Sequence, residues 1–250
     1  MAVNTDSARE LPDWVKYGVF WHVYPLGFCG ADIRPNGPRE FRGRGLEAII
    51  PWLEYARDLG ASGLLLGPVF ESATHGYDTL DHMHIDVRLG SDAAFDTLVA
   101  ACRDMGLQVI LDGVFNHVSR NHPAVQAALD EAAGRLNPAD NPWHGLVRTH
   151  VGDNGEPALD VFEGHGDLVA LDHQSNETVD YVTRVMKLLA RSWGRRLASR
   201  RCVCGAERVL GACIAASQGR TLVFVDFRRG NPWRLPAHRR GIHDGFGYAV

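Results

Sequence analysis

The residue types that most clearly suggest chemistry lie in the segment LQVILDGVFNH, residues 107–117. Its apolar run VIL predicts a buried strand of a parallel sheet, and Asp112, Asn116 and His117 follow where that strand ends. In α/β barrels the loops after the strands converge on one face, which carries the chemistry. Taken alone, the cluster is equally typical of a helix-capping aspartate with polar loop neighbours.

The elements that would position this cluster alternate between strand and helix. The run GVFWHVY at residues 18–24 predicts a first strand, and GLLLGPV at residues 63–69 predicts a second, buried strand. Between them, Pro51 stands in the first turn of an amphipathic helix. Ser91 is predicted to cap a further helix, which leads into the strand before Asp112. This order predicts an α/β fold with a parallel sheet.

The alternation is interrupted after the third strand. Residues 118–166 lose periodicity and are rich in Pro, Gly, Asn and His, which is typical of a functional loop or a subdomain. Residues 168–171 form a short apolar run, and Asn176 is predicted to cap a helix with one apolar face. A fourth strand is expected next, but the sequence RSWGRRLASRRCVCGAERV has neither a strand period nor a long apolar run.

Length and composition favour a soluble globular protein. The chain has 250 residues, of which 45% are hydrophobic, so it can bury the core of one barrel or of two smaller domains. No apolar run approaches the length of a membrane span, and the first residues do not resemble a secretory signal. Cys29 and Cys102 are isolated, which favours a reducing compartment. We therefore expect a cytoplasmic protein.

Four segments together resemble the amino-terminal part of the α-amylase family of glycoside hydrolases, over roughly residues 15–193. The segments are GVFWHVYPLGF, GASGLLLGPVFES, HGYDTLDHMHID and LDGVFNH, in the family's order. The resemblance implies an incomplete (β/α)8 TIM-type barrel with a loop-rich subdomain inserted after the third strand. The expected divisions are residues 1–117 for the first barrel strands and helices, 118–166 for the inserted subdomain, 167–190 for a barrel helix and 191–250 for an atypical tail.

The resemblance also assigns site residues. Tyr77 would be the stacking platform for the sugar at the cleavage point, because an aromatic face suits the apolar face of a pyranose ring. Asp112 would support the architecture of the site, His117 would hydrogen-bond hydroxyls of the same sugar, and Asn116 would organise the loop. In calcium-dependent members that asparagine binds the ion. Ala170 replaces an acidic calcium position of some members, so we expect no metal or other cofactor.

Two histidines of the HGYDTLDHMHID segment have a simpler interpretation. His82 and His84 are expected to alternate across an extended segment rather than to bind a metal.

The residues that would cleave a glycosidic bond are missing from the sequence. Retaining glycosidases need a carboxylate nucleophile and a second carboxyl group as acid and base. The family takes these from an Arg-x-Asp motif, a later Glu and an Asn-His-Asp motif, and the chain contains neither Arg-x-Asp nor Asn-His-Asp. The resemblance thus implies an α-glucan hydrolase acting with retention, and the chain as written is expected to be inactive, with no catalytic residue present.

The tail at residues 191–250 differs sharply in composition. It holds twelve arginines, no lysine, three acidic residues and three of the five cysteines. RRLASRRC, at residues 195–202, can be encoded so that a shifted frame reads DGWRLDA, and RRGNPWRLPA, at residues 228–237, can similarly conceal GEVIHGDYP. Both resemble the family's catalytic blocks, in order and under one common shift. We therefore predict a frameshift between about residues 189 and 194.

Two other classes of function stay open. A non-catalytic carbohydrate-binding protein would use Tyr77 and His117 without the reacting carboxylates. Alternatively, the tail could be a basic module that binds zinc through Cys202, Cys204 and Cys213, or that binds nucleic acid through its arginines. The cysteine spacing lacks a paired C-x-x-C pattern, and no nucleic-acid motif accompanies the charge. We therefore expect an α-glucan or maltooligosaccharide as the partner, with no nucleic acid and no membrane.

Overall fold

The computed structural model describes residues 17–192, 213–217 and 220–225. The strands in these ranges are β1 (Phe20–Val23), β2 (Gly63–Leu66), β3 (Phe70–Ser72), β4 (Thr79–Ile85), β5 (Gln108–Asp112), β6 (His117–Ser119), β7 (Thr149–Val151), β8 (Pro157–Leu159), β9 (Val161–Phe162), β10 (His165–Ala170), β11 (Cys213–Ser217) and β12 (Arg220–Val225). The α-helices are α1 (Pro25–Phe28), α2 (Ile50–Asp58), α3 (Asp92–Asp104), α4 (Pro123–Ala132) and α5 (Asn176–Ser192).

The central sheet has the strand order β1-β2-β5-β12-β11. Strands β1, β2, β5 and β12 are parallel neighbours, with Leu66 in register with Val23 on one side and Leu111 on the other. Strand β11 pairs antiparallel with β12 at the edge. The three strands expected from sequence are present, and the parallel α/β fold is confirmed.

The tail differs from the sequence-based expectation, which found no fourth strand after the last helix. Strand β12 adds parallel to β5, with Val225 in register with Asp112. The arginine-rich stretch directly after the helix has no strand pattern, whereas the apolar run TLVFV lies further along the chain. Sheet pairing is satisfied by any extended β-branched run that can reach the open side of β5.

Close packing between strands explains one glycine in the sheet. A Cβ atom at Gly63 would lie 2.4 Å from the carbonyl oxygen of Gln108 and 2.9 Å from the ring of Phe20. No larger side chain fits there, so the start of β2 depends on this glycine. Residues 64–66 of β2 and 109–111 of β5 are apolar and largely buried, as expected for strands covered on both faces.

Helices α2 and α3 contact one another and bury their apolar faces in the core. The Ser91 hydroxyl accepts a hydrogen bond of 3.3 Å from the Ala94 amide, which confirms the predicted N-cap of α3. Phe95, Leu98 and Cys102 of α3 are fully or almost fully buried. Phe95 and Leu98 each contribute about 1.5–3 kcal/mol to folding by leaving water.

Residues 118–166 contain more regular structure than the sequence suggested. Helix α4 begins with Pro123 at its first turn and is capped by His122, whose Nδ1 accepts from the Ala124 amide at 3.1 Å. Strands β6, β10 and β9 form a three-stranded antiparallel sheet, and β7 and β8 form a hairpin. The predicted apolar run at residues 168–171 supplies the buried end of β10.

Helix α5 begins at Asn176, one residue earlier than predicted, so that Ser175 precedes it and the Ser175 hydroxyl accepts from the Glu177 amide.

Cys29 and Cys102 are free thiols inside the core, and burial raises their pKa values to about 11 and about 12. None of the helices in the described ranges is long and apolar enough to cross a membrane.

Candidate functional site

Three residues named from the sequence meet at the carboxyl end of β5. Asp112 is the last residue of that strand, and its Oδ2 accepts a hydrogen bond of 3.1 Å from the Tyr77 hydroxyl. His117, at the start of β6, places its Nε2 2.9 Å from the Tyr77 carbonyl oxygen. A carbonyl oxygen can only accept, so Nε2 carries the proton. The structure thus connects Tyr77, Asp112 and His117 directly.

The three side chains differ in exposure. Asp112 and His117 are 5% and 6% exposed, whereas Tyr77 is 40% exposed. The site therefore presents an accessible aromatic ring beside buried polar groups. Such a combination suits a sugar, which offers an apolar ring face together with hydroxyl groups that need partners.

The loop that carries Tyr77 is closed by Asp78. The Asp78 carboxylate accepts from the Thr74 amide at 3.1 Å and from the Thr74 hydroxyl at 2.7 Å. Gly76 has a φ of 95°, a conformation that L side chains rarely adopt, and a Cβ there would lie 3.0 Å from Pro68. These constraints fix Tyr77 at the tip of the loop. Sequence reasoning missed Asp78, although the pairing of Thr74 with an aspartate four residues later, across a glycine, signals a closed turn.

A fully buried ion pair holds this loop against the rest of the molecule. Arg88 contacts Asp86 in a bidentate manner, with Nε–Oδ1 and Nη2–Oδ2 distances of 2.8 and 2.6 Å. The same guanidinium donates to the carbonyl oxygens of Thr74, Asp32 and Ile33. Because it joins three separate chain segments, Arg88 acts as an anchor for the Tyr77 loop. No local sequence signal marks it.

A second support lies under the loop between β5 and β6. His82 is completely buried, its Nε2 donates to the Val114 carbonyl oxygen at 2.9 Å, and its Nδ1 accepts from the Tyr181 hydroxyl at 3.1 Å. Burial lowers the pKa of His82 to about 4, so the ring is neutral at pH 7. His84 is exposed on the same strand, β4. The pair is thus divided between core and surface, and His82 fixes the loop that leads to Asn116.

His117 lies in an apolar environment. The ring of Phe162, from strand β9, packs against it with centroids 4.4 Å apart and planes 35° apart. Burial lowers the pKa of His117, although its hydrogen bond to Tyr77 acts in the opposite direction. The imidazole is therefore neutral at pH 7 and serves as a hydrogen-bonding group rather than as a cation.

Asn116 lies half-buried in the loop before His117, and its carbonyl oxygen accepts from the Leu171 amide at 3.0 Å. This bond joins the loop to the chain just beyond Ala170. Ala170 is buried and has no oxygen in its side chain, so the calcium arrangement of some family members does not fit this position. Within the described ranges, no group of three or more His, Cys, Asp or Glu side chains could hold a metal ion.

Most of the predictions about the tail lie outside the described residues. They concern the reconstructed blocks and the zinc hypothesis for Cys202 and Cys204. The frameshift predicted between residues 189 and 194 falls at the end of α5 and stays a prediction. Of the tail, the structure describes the backbone of β11, which begins at Cys213, and of β12.

Comparison with known proteins finds matches over the part of the chain that carries these residues. The family model described as "Alpha amylase, catalytic domain" matches residues 22–176. A cyclomaltodextrinase from Geobacillus thermopakistaniensis is 36% identical over 137 residues, which cover 50% of this chain and 23% of the relative. An intracellular maltogenic amylase from Bacillus subtilis is 35% identical over 137 residues, which also cover 50% of this chain and 23% of the relative. The chain therefore matches about a quarter of these relatives' length.

A solved structure has a similar fold. The ligand-free cyclic alpha-maltosyl-(1→6)-maltose hydrolase from Arthrobacter globiformis has a TM-score of 0.58 and 27% sequence identity. The matched part covers 72% of this chain and 43% of that one.

Proposed function

The chain belongs to the α-amylase family, and from this premise we propose that it carries the sugar-binding side of an α-glucan site. The single observation that carries the proposal is the hydrogen-bonded connection of Tyr77, Asp112 and His117 at the end of β5. The matched relatives are a cyclomaltodextrinase and a maltogenic amylase, which supports an α-glucan or maltooligosaccharide as the ligand.

In this proposal the exposed ring of Tyr77 stacks on the apolar face of one glucose unit. The Asp112 carboxylate accepts hydrogen bonds and keeps Tyr77 in place through the phenol. His117 is neutral, and its Nε2–H donates to the Tyr77 carbonyl oxygen and so helps to hold the Tyr77 backbone. Asn116 organises the loop between Asp112 and His117. No metal or other cofactor takes part in these steps.

We propose further that the chain as written does not hydrolyse its ligand. Cleavage with retention needs two carboxyl groups held about 5–5.5 Å apart across the bond. The family's Arg-x-Asp and Asn-His-Asp motifs are absent from the sequence, and the shifted-frame blocks offer a reason for the loss. Sequencing the gene from codon 176 to beyond codon 250 tests the frameshift hypothesis. A shifted frame that does not encode DGWRLD would contradict that hypothesis.

We also propose that the fold is an incomplete (β/α)8 barrel with residues 118–166 as the inserted subdomain; the parallel strands β1, β2 and β5 and the family match support this. We propose a cytoplasmic location, because one relative is named as intracellular. We propose no second function for the basic tail, most of which lies outside the described ranges.

The test is a calorimetric titration of the 250-residue chain with maltoheptaose. We expect measurable binding that is lost in Tyr77→Ala, because the stacking face is removed. Tyr55→Ala is the matched control, since Tyr55 is also an exposed tyrosine but lies on α2, away from the site. Equal affinities of wild type and Tyr77→Ala would contradict the proposal, as would the absence of binding.

A further inference from the structure

The hairpin between β9 and β10 has a constrained turn. Phe162 and His165 are paired across it, with Glu163 and Gly164 as the two-residue loop. Both loop residues have positive φ values, 48° and 79° respectively. Such pairs are typical of type I′ turns, where glycine, asparagine and aspartate are preferred. Glu163 is the one non-glycine residue with positive φ in the described ranges, so the turn is held in this shape against the preference of its side chain.

The consequence of this turn is the position of Phe162. Its half-buried ring covers the imidazole of His117 at a centroid distance of 4.4 Å. The hairpin thus brings a side chain from residues 118–166 to the end of β5, although Phe162 is 45 positions further along the chain than His117. None of the residues in the resemblance to the family points to this contact.

Two contacts of the imidazole bear on its orientation, namely the Phe162 ring and one hydrogen bond. Its Nε2–H donates to the Tyr77 carbonyl oxygen at 2.9 Å, and its buried Nδ1 has no hydrogen-bond partner within the described part of the chain. A single hydrogen bond, at one nitrogen only, leaves the ring some freedom to rotate about its Cβ–Cγ bond. Packing against a flat aromatic surface removes that freedom, since rotation would push the ring edge into Phe162.

We propose that Phe162 is a positioning residue of the α-glucan site. It holds the His117 ring so that Nε2 carries the proton and stays bonded to the Tyr77 carbonyl. This bond fixes the backbone at Tyr77, while the phenol is fixed by Asp112. The aromatic platform is therefore set by a contact from strand β9. The inference rests on the proposed function, because the platform matters only if a sugar stacks on it.

The first readout is independent of any ligand. Nitrogen-15 NMR of the imidazole distinguishes a ring protonated at Nε2 from one protonated at Nδ1. We expect the wild type to show the Nε2–H tautomer at pH 7, and Phe162→Ala to show a mixture of the two. Phe162→Tyr restores the flat surface and with it the single tautomer. Phe162→Leu keeps the apolar volume without an aromatic face. It replaces Phe162→Ala in this test if that variant does not fold, and it should also show a mixture of tautomers.

The second readout is the dissociation constant for maltoheptaose. We expect Phe162→Ala or Phe162→Leu to weaken binding by about tenfold, as the loss of one aromatic contact implies, and Phe162→Tyr to recover it. Val161→Ala is the control, because Val161 lies next to Phe162 on β9 but is exposed. An unchanged tautomer in Phe162→Leu would overturn the inference. If the wild type binds no maltoheptaose, the proposed function fails, while the tautomer still decides whether Phe162 positions His117.

Discussion

At the scale of single residues, the site combines one accessible ring with neutral, buried imidazoles. Tyr77 is accessible, whereas His82, His117 and His122 are buried, and burial lowers the pKa of each of them. His82 and His117 must stay uncharged for the loops around Tyr77 to keep their shape, and His122 must stay uncharged to cap α4. Their titration therefore couples the integrity of the site to pH.

The first prediction concerns stability in acid. His82 and His122 have pKa values of about 4 in the folded protein against 6.5 when solvated, so between these values the unfolded chain binds more protons. We expect the contribution of these histidines to the free energy of unfolding to be largest above pH 6.5. It should fall as the pH is lowered towards 4, by at most roughly 3 kcal/mol per histidine.

Urea titrations at several pH values check this prediction. In His82→Gln, which can still hydrogen-bond on both sides, the fall should be smaller than in wild type. His84→Gln is the matched control, because His84 is exposed on the same strand. A wild-type stability that does not change between pH 6.5 and 4 would be evidence against buried neutral histidines.

Some residues of the site can be recognised from the sequence, and others cannot. Tyr77, Asp112 and His117 stand in short motifs beside a strand, so their types and order suffice to name them. Arg88 and Phe162 act through contacts with segments distant in sequence, and neither has a local signal. Their roles depend on tertiary packing, which a single sequence does not display.

At the scale of elements, the Tyr77 loop is held by the buried pair of Arg88 and Asp86. Both side chains are 1% exposed, so loss of one partner would leave an uncompensated buried charge. We predict that Arg88→Met destabilises the protein by about 3–5 kcal/mol, as expected when a buried pair is broken. It should also weaken maltoheptaose binding, because the Thr74 carbonyl loses its donor.

Denaturant unfolding measures this effect, with Arg103→Met as the control. Arg103 pairs with Asp104 at the surface, where ion pairs contribute about 0–1 kcal/mol. Similar losses of stability in the two variants would show that Arg88 does not act as an anchor.

The elements themselves were predictable where one physical signal dominated. The apolar runs of β1, β2 and β5 and the Ser91 cap of α3 were found from sequence. Helix α4 was missed because its cap is His122, which is uncommon in that position, and because prolines and glycines surround it. Strand β12 was missed because it lies within an arginine-rich tail.

At the scale of the whole molecule, β1 is an edge strand of the sheet in the part of the chain that the structure describes. Within the described ranges, β1 has β2 as its single neighbour. Trp52, Tyr55 and Leu59 lie at helical spacing in and just after α2, and all three are half or more exposed. Open edges and apolar patches of this kind favour association between molecules.

We therefore predict that the purified chain self-associates as its concentration rises. Sedimentation velocity should show this, and the double variant Tyr55→Lys with Leu59→Lys should be more monomeric. Val151→Lys is the control, since Val151 is equally exposed but lies on the β7–β8 hairpin. A monomeric wild type with a sharp, cooperative melt would speak against an incomplete barrel.

The most direct test of the central claim is one preparation of the 250-residue chain, measured for both binding and cleavage of maltoheptaose. The claim is that the chain has the sugar-binding side of an α-glucan site without the carboxyl groups that react. We predict saturable binding in the calorimeter and no new reducing ends after prolonged incubation. Release of shorter maltooligosaccharides by the chain, abolished in Asp112→Asn, would show that the reacting groups are present after all and would contradict the account.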